Sequence, residues 1–194
     1  MIRLGILGST RGTNMLNIID AINNNHIPAT IEVVISNKAD ATILERAKSQ
    51  NLKAEFLSPA DLSRSDYDIK VSDCLHQYDV DLVVLIGYMR ILSPEFVIQW
   101  NNRVINVHPS LLPAFAGKMD IEVHQAVLDA GANETGCTIH YVTQYVDAGP
   151  VILQKKCSVL ANDTAESLKE RVQKLEGSAL VEAIQLIASS KYER

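Results

Sequence analysis

The sequence lacks the features that mark several common classes of protein. Its three cysteines have no CxxC spacing, which argues against a disulfide framework or a zinc cage. The 194 residues carry a net charge of −5 and no basic stripe, so a nucleic-acid partner is not expected. No apolar run approaches the ~20 residues that span a membrane, and no signal-peptide pattern opens the chain. These absences predict a cytoplasmic protein with no membrane or nucleic-acid partner.

What the sequence does contain is an alternation of short apolar strands and amphipathic helices. Residues 81–86 (DLVVLI) are almost entirely apolar, as a strand buried on both faces requires, and such strands occur in parallel sheets covered by helices. The alternation predicts an α/β fold with a doubly wound, mostly parallel sheet. The expected strands are 2–8, 31–35, 53–57, 81–86 and 103–108, and the expected helices are 14–25, 40–50 and 65–78.

The pattern changes after residue 130. Two predicted strands, 136–143 and 151–157, are joined by a link too short for a crossover helix, so we expect an antiparallel pair. A long amphipathic helix follows at 163–189. The mostly parallel sheet is therefore expected to end in two antiparallel strands and a C-terminal helix.

Three positions carry specific expectations about the helices. Asp40 is a start signal for the helix at 40–50, and Asp163 or Asn162 could cap the long C-terminal helix. Gly177 lies inside that long helix, where glycine costs about 1 kcal/mol relative to alanine. We therefore expect either a break or a close packing contact at Gly177.

The first loop, residues 8–14 (GSTRGTN), follows a strand and precedes a helix. In α/β sheets ligands bind at this position, and the free N–H groups of a helix start attract phosphate. Gly8 and Gly12 would let the backbone approach an anion. The side chains that would add donors or charge are Ser9, Thr10, Arg11 and Thr13. Because neither G-x-G-x-x-G nor G-K-[ST] occurs, the loop is either a monophosphate site or a turn without a ligand.

Asn106 and His108 form the most informative pair in the chain. Side chains two apart on a strand share a face, and these two precede Pro109 at the end of a predicted strand. An amide N–H and an imidazolium can both donate to an oxyanion, which suits acyl transfer. Asp147, in a rigid Asp-Ala-Gly-Pro turn, is the best candidate for a carboxylate that favours the charged imidazole.

The other four histidines, His26, His76, His124 and His140, are interpreted as structural. No pair of histidines or cysteines has metal-ligand spacing, so no metal site is predicted. No G-x-S-x-G nucleophile elbow occurs either, and direct attack by a bound nucleophile is the simpler hypothesis.

These motifs resemble those of the folate-dependent formyltransferase family. The resemblance is carried by residues 106–113 (NVHPSLLP), by residues 87–92 (GYMRIL) and by Asp147, and it extends over essentially the whole chain. It implies a Rossmann-like formyltransferase fold in a single domain, 1–194. Within it, residues 1–100 would be the phosphate-binding half and residues 101–194 the folate-binding and catalytic half. The implied partners are small molecules, for a monomer or a homodimer.

Within this family, three features favour the branch whose acceptor is 5'-phosphoribosylglycinamide, in purine synthesis. The chain starts directly at the first strand, it ends after the catalytic domain, and Gly12-Thr13-Asn14 matches the G-S-N phosphate loop, with Thr13 for the commoner serine. Hydrolysis of 10-formyltetrahydrofolate without an acceptor is the alternative. A non-catalytic folate- or nucleotide-binding module is a third hypothesis.

The resemblance also implies roles for individual residues, with 10-formyltetrahydrofolate as the co-substrate and no metal. The catalytic set would be Asn106, His108 and Asp147, with Asp147 raising the pKa of His108. The acceptor would be bound by Gly12, Thr13, Asn14, Gln173 and Glu176. The folate would be bound by Arg64, Met89, Arg90, Ile91, Leu92, Asn106, Thr143, Gln144, Tyr145, Val146 and Asp147. Residues 116–121 (AGKMDI) differ from the histidine-bearing loop of many relatives.

Overall fold

The computed structural model describes residues 1–192, with side chains described up to residue 190. The strands are β1 (Ile2–Leu7), β2 (Ala29–Ser36), β3 (Ala54–Phe56), β4 (Leu82–Leu85), β5 (Val104–His108), β6 (Glu134–Tyr141) and β7 (Val151–Ser158). The helices are α1 (Thr13–Asn23), α2 (Thr42–Ser49), α3 (Arg64–Gln77), α4 (Pro94–Gln99), α5 (Ile121–Asp129) and α6 (Ala165–Tyr192).

The seven strands form one sheet in the order β3-β2-β1-β4-β5-β6-β7. Strands β1 to β5 pair in parallel, whereas β6 pairs antiparallel with both β5 and β7. The predicted doubly wound sheet, the antiparallel C-terminal strands and the long final helix are therefore confirmed. The strand order reverses between β1 and β4, and at such a reversal the loops that follow the strands open into a crevice.

Strand β4 shows how the apolar run fills both faces of the sheet. Leu82 and Val84 pack with the cluster that includes helices α1, α2 and α6. Val83 and Leu85 pack with the cluster that includes α3 and α4. All four side chains are buried, because helices cover the sheet on both sides.

The start of α2 differs from the prediction that Asp40 begins it. The residue before the helix is Ala41, and its side chain makes no capping hydrogen bond. The free N–H of Ile43 instead donates to the backbone carbonyl of Thr10 at 3.1 Å. The first loop therefore satisfies this helix end, and the prediction of an Asp40 cap is wrong.

Helix α4 was not predicted, although its start carries a readable signal. The Ser93 hydroxyl accepts the N–H of Phe96 at 3.2 Å, and Pro94 occupies the first turn. Serine before proline is a typical helix start, because the hydroxyl satisfies a free N–H and proline has none to satisfy.

Helix α6 begins at Ala165 and is capped by Thr164 and not by the predicted Asp163 or Asn162. The Thr164 hydroxyl accepts the N–H of Ser167 at 3.2 Å. Asp163 instead accepts from both terminal nitrogens of Arg171, at 2.6 and 2.7 Å. Within residues 1–192, no helix combines the length and the apolar composition that crossing a bilayer requires.

Gly177 lies in an unbroken stretch of α6, so of the two expectations at this position close packing is the correct one. A Cβ atom at Gly177 would lie 2.2 Å from Oδ1 of Asn17 and 3.0 Å from its Cβ. Helix α1 therefore approaches α6 so closely that any side chain at this position would require Asn17 to shift.

We predict that Gly177→Ala destabilises the protein, although alanine is normally the better helix former. The gain of about 1 kcal/mol in helix propensity is outweighed by overpacking of about 1–3 kcal/mol, so the free energy of unfolding in denaturant should fall. Gln185→Ala, at an exposed position of the same helix, should change it by less than about 0.5 kcal/mol. A Gly177→Ala variant as stable as the wild type would contradict the close contact.

Candidate active site

The loops that follow β1 and β4 are joined at the crevice by Ser9. Its N–H donates to the Gly87 carbonyl at 3.0 Å, and its hydroxyl accepts the N–H of Met89 at 2.9 Å. The same hydroxyl donates to Oδ1 of Asn37 at 2.6 Å. Because Ser9 is buried and fully engaged in these bonds, it is not the free anion donor that the loop sequence suggested.

The candidate phosphate loop begins α1. Gly12 has φ +66°, and a Cβ atom there would lie 2.3 Å from the Ile43 side chain, so the position requires glycine. No side chain caps the helix, and the first N–H groups, at Thr13 and Asn14, are at the end that attracts anions. Arg46 of α2 donates to the Thr13 hydroxyl at 3.5 Å and brings a positive charge that the sequence pattern did not indicate.

Glu176 of helix α6 contacts this loop. Nδ2 of Asn14 donates to Oε2 of Glu176 at 2.8 Å, so two of the predicted acceptor-binding residues are in direct contact. Burial raises the pKa of the Glu176 carboxyl, and the Asn14 hydrogen bond and the charge of Lys169 oppose that rise. Gln173 is exposed about one turn earlier on the same helix.

The three predicted catalytic residues meet at the end of β5. Asn106 and His108 lie on this strand, where Asn106 is half-buried and His108 is buried. Nδ1 of His108 lies 3.2 Å from Oδ2 of Asp147, whose side chain is 10% exposed. Since a carboxylate can only accept, Nδ1 carries the hydrogen in this contact.

His140, which the sequence pattern assigned to a structural role, belongs to the same cluster. In the antiparallel register of β5 and β6 it lies opposite Asn106, and its Nε2 is 3.3 Å from Nδ2 of Asn106. Its Nδ1 donates to the Tyr141 carbonyl at 2.9 Å, so Nε2 has the lone pair that accepts from Asn106. Nε2 also lies 3.7 Å from Oδ1 of Asp147. The sequence pattern could not reveal this contact, because it depends on the register in which β5 and β6 pair.

The electrostatics of His108 differ from the expectation that Asp147 raises its pKa. Burial lowers the pKa of His108 below its usual value of 6.5, and this effect outweighs the charge of Asp147 and the Phe115 backbone, which both raise it. The direction expected for the effect of Asp147 is correct, but the net shift is downward. His108 is therefore neutral near pH 7, and its buried Nε2 has no protein partner among the described residues.

The segment after β4 alternates exposed and anchored side chains. Met89 is 47% exposed and Ile91 is 60% exposed, while Leu92 is buried. The Arg90 guanidinium lies over the Tyr67 ring, 4.4 Å from its centroid. Two predicted folate-binding residues thus offer apolar surface, and the residues between and after them hold the segment against the protein.

A buried carboxyl supports the end of this segment. Oδ2 of Asp68 accepts the N–H of Ser93 at 2.5 Å, and burial raises the pKa of the Asp68 carboxyl. No feature of the sequence pattern had indicated Asp68, because α3 carries several other charged residues and all of those are exposed.

The remaining predicted folate residues lie in the loop after β6 and at the start of α3. Tyr145 and Val146 are 69% and 54% exposed, and the Thr143 hydroxyl donates to the Tyr145 carbonyl at 3.1 Å. Thr143 and Gln144 line a shallow cavity together with residues of α4 and the loop after it. Arg64 is exposed at the first residue of α3.

The cysteines show no sign of reactivity. Burial raises the pKa of Cys74 to about 11 and that of Cys137 to about 12, so both thiols stay protonated at neutral pH. Among residues 1–192, no three histidine, cysteine, aspartate or glutamate side chains are grouped so that they could hold a metal ion.

The fold and the site together define a class of protein. It is a doubly wound α/β protein with an anion-attracting helix start and, at the same edge of its sheet, an amide–imidazole–carboxylate cluster suited to acyl transfer. Comparison with known families agrees with this definition, since the sequence profile described as formyl transferase matches residues 2–184. The chain belongs to the formyl transferase family.

Individual relatives are similar over most of this chain. The phosphoribosylglycinamide formyltransferase of Escherichia coli (strain K12) is 43% identical over 87% of the chain and 78% of its own length. The trifunctional purine biosynthetic protein adenosine-3 of Bos taurus is 40% identical over 96% of the chain, which spans only 18% of that protein. The crystal structure of glycinamide ribonucleotide transformylase 1 from Symbiobacterium toebii matches with a TM-score of 0.93 and 43% identity, over 98% and 89% of the two chains.

We predict that Asp147→Asn lowers the pKa of His108 further. The carboxylate charge raises this pKa against burial, so its removal leaves burial less opposed. An NMR titration of the imidazole protons should place the wild-type pKa of His108 below 6.5 and that of Asp147→Asn lower still. Asp20→Asn, at an exposed position of α1, should leave it unchanged. A pKa that rises in Asp147→Asn would be incompatible with the contact described.

Proposed function

We propose that the chain transfers the formyl group of 10-formyltetrahydrofolate to the amine of 5'-phosphoribosylglycinamide, a step of purine biosynthesis. The observation that carries the proposal is the pairing of two sites at one edge of the sheet. One is the cluster of Asn106, His108 and Asp147, which suits acyl transfer. The other is the contact of Asn14 with Glu176, which suits a phosphorylated ribose. The names of the relatives, each a purine-synthesis protein, favour the same reaction.

The acceptor would bind along α1 and α6. Its phosphate would lie against the N–H groups at Gly12, Thr13 and Asn14, where a helix start favours negative charge. The Glu176 carboxylate would accept hydrogen bonds from the ribose hydroxyls, with Gln173 beside it on the same helix. In this proposed arrangement the amine of the acceptor would lie away from the phosphate loop and toward β5.

The folate would bind between the loops that follow β4 and β6. Backbone groups of 89–92 and of 143–147 would hydrogen-bond the pterin. The exposed side chains of Met89, Ile91 and Tyr145 would supply apolar surface. Arg64 would add a positive charge for the carboxylates of the glutamate tail.

The first step would be attack of the neutral amine on the formyl carbon. A new C–N bond forms, and the carbonyl π electrons move to the oxygen. Asn106 has two N–H donors, of which one is engaged by His140, so the second can donate to the developing oxyanion. Such donors are effective because they are already oriented when the charge appears.

The second step would be collapse of the tetrahedral intermediate. Neutral His108 has its lone pair on Nε2, so it can take the proton that the attacking nitrogen releases. Asp147 stabilises the resulting imidazolium through Nδ1. The bond from the formyl carbon to N10 of the folate then breaks, and the proton passes to N10. Proximity contributes much of the rate, since both substrates are held in one crevice.

We expect release of tetrahydrofolate from 10-formyltetrahydrofolate to depend on the acceptor. Absorbance should report product formation when 5'-phosphoribosylglycinamide is present, and it should fall to background when the acceptor is omitted. Equal rates with and without the acceptor would show a hydrolase and would refute the proposal. Folate binding without turnover in both reactions would also refute it.

We expect Asn106→Ala to lower kcat by about 100-fold or more, the usual effect of losing an oxyanion donor. We expect His108→Ala to lower kcat by about 100-fold or more as well, the usual effect of losing a general base. Stopped-flow or steady-state kinetics would measure the loss, and circular dichroism would check the fold. The matched controls are Asn133→Ala and His26→Ala, at exposed positions in loops. Near-wild-type kcat in either site variant would remove that residue from the mechanism.

A further inference from the structure

The loop at residues 114–120 has an unusual backbone. Phe115, Gly117 and Asp120 have φ values of +61°, +77° and +49°, and two of these residues are not glycine. Side chains disfavour this region, so the loop does not hold such a conformation by its own preference. Most of its residues are exposed. External contacts must therefore keep it in place.

Two contacts tie this loop to the candidate active site. The Gly117 N–H donates to Oδ2 of Asp147 at 2.9 Å, on the same oxygen that faces Nδ1 of His108. Three residues further on, Oδ1 of Asp120 accepts from Nζ of Lys169 on α6. The loop is thus held by a catalytic carboxylate near its centre and by a lysine at its end.

Lys169 lies on the face of α6 that carries the acceptor-binding residues. Lys169, Gln173 and Glu176 follow at i, i+4 and i+7, which places them along one side of a helix. Burial raises the pKa of Glu176 and lowers that of buried His124, and the positive charge of Lys169 opposes the first shift and adds to the second. Lys169 is therefore within electrostatic reach of a residue on α6 and of one on α5. Lys169 is 23% exposed, whereas Asp120 is 63% exposed.

We propose that Lys169 and Asp120 are a positioning pair that holds the 114–120 loop against α6 and thereby keeps the Gly117 N–H on Asp147. The pair would thereby orient the His108–Asp147 contact. The expected effect on kcat rests on the proposed function.

The ion pair is expected to affect the local opening of the loop and not the stability of the whole fold. A partly exposed ion pair contributes little to global stability, whereas a strained loop responds to a small change in its tether. Other contacts of the loop lie at its start, where the Ala114 carbonyl accepts from Oγ of Ser110 at 2.6 Å and the Phe115 backbone faces His108. Loss of the pair should therefore open the loop locally and leave the unfolding midpoint of the protein almost unchanged.

Amide hydrogen exchange tests the tether without any substrate. In Lys169→Gln and in Asp120→Asn, exchange within residues 115–120 should accelerate by about 2- to 5-fold, as the loss of one exposed ion pair implies. Lys169→Arg, which keeps the charge, should exchange like the wild type. The control is Lys174→Gln, at an exposed position of the same helix. Unchanged exchange in both neutral variants would overturn the proposal.

Kinetics then test the consequence for the reaction. Lys169→Gln and Asp120→Asn should each lower kcat by a similar factor, about 2- to 5-fold, and the double variant should be no worse than either single one, since both remove the same contact. Lys169→Arg should restore kcat. If Lys169→Gln raises KM for the acceptor while Asp120→Asn lowers it, Lys169 contacts the acceptor directly and the pairing proposal is wrong.

The two proposals fail in different ways. A wild-type protein without acceptor-dependent turnover would refute the proposed function, yet faster exchange in the two neutral variants would still support the tether. Normal turnover in the wild type with additive losses in the double variant would overturn the positioning pair and leave the proposed function intact.

Discussion

Asp147 is the point at which three separate parts of the chain meet. One carboxylate oxygen lies 3.2 Å from Nδ1 of His108 and accepts the N–H of Gly117 at 2.9 Å. The other lies 3.7 Å from Nε2 of His140. A strand end, a neighbouring strand and a strained loop are therefore organised around one partly buried charge. Asp147 fixes the tautomer of His108 by accepting from Nδ1, whereas the Tyr141 carbonyl fixes that of His140.

Burial and the charge of Asp147 have opposite effects on the pKa values of the two histidines in this cluster. Burial lowers the pKa of both His108 and His140, and Asp147 opposes the shift at each of them. Neutral His140 can accept from Asn106, which fixes the amide for an oxyanion. Neutral His108 can take a proton, which a permanently charged imidazole could not. A stronger effect of Asp147 would raise the pKa of His108 and leave less of the neutral imidazole that can accept a proton near pH 7, so the observed direction suits proton transfer.

The residues proposed to bind the acceptor depend on a different constraint, the close approach of α1 to α6. Gly177 permits that approach because it has no side chain to meet Asn17. The approach brings Asn14 into contact with Glu176, and the same helix carries Lys169 to the loop that contacts Asp147. Helix α6 thus contacts both halves of the crevice, through Glu176 on one side and Lys169 on the other.

The sequence by itself determined the order of the strands and of most helices, though not α4, and the facing of Asn106 and His108. These features follow from periodicities of a few residues. It could not reveal the Thr10 carbonyl that replaces a cap on α2, the position of His140 opposite Asn106, or the Lys169–Asp120 contact. Each of these joins residues that are distant along the chain and meet only through strand register and helix packing. The net pKa shift of His108 also depends on the tertiary structure, because burial is determined by all the residues that pack around the side chain.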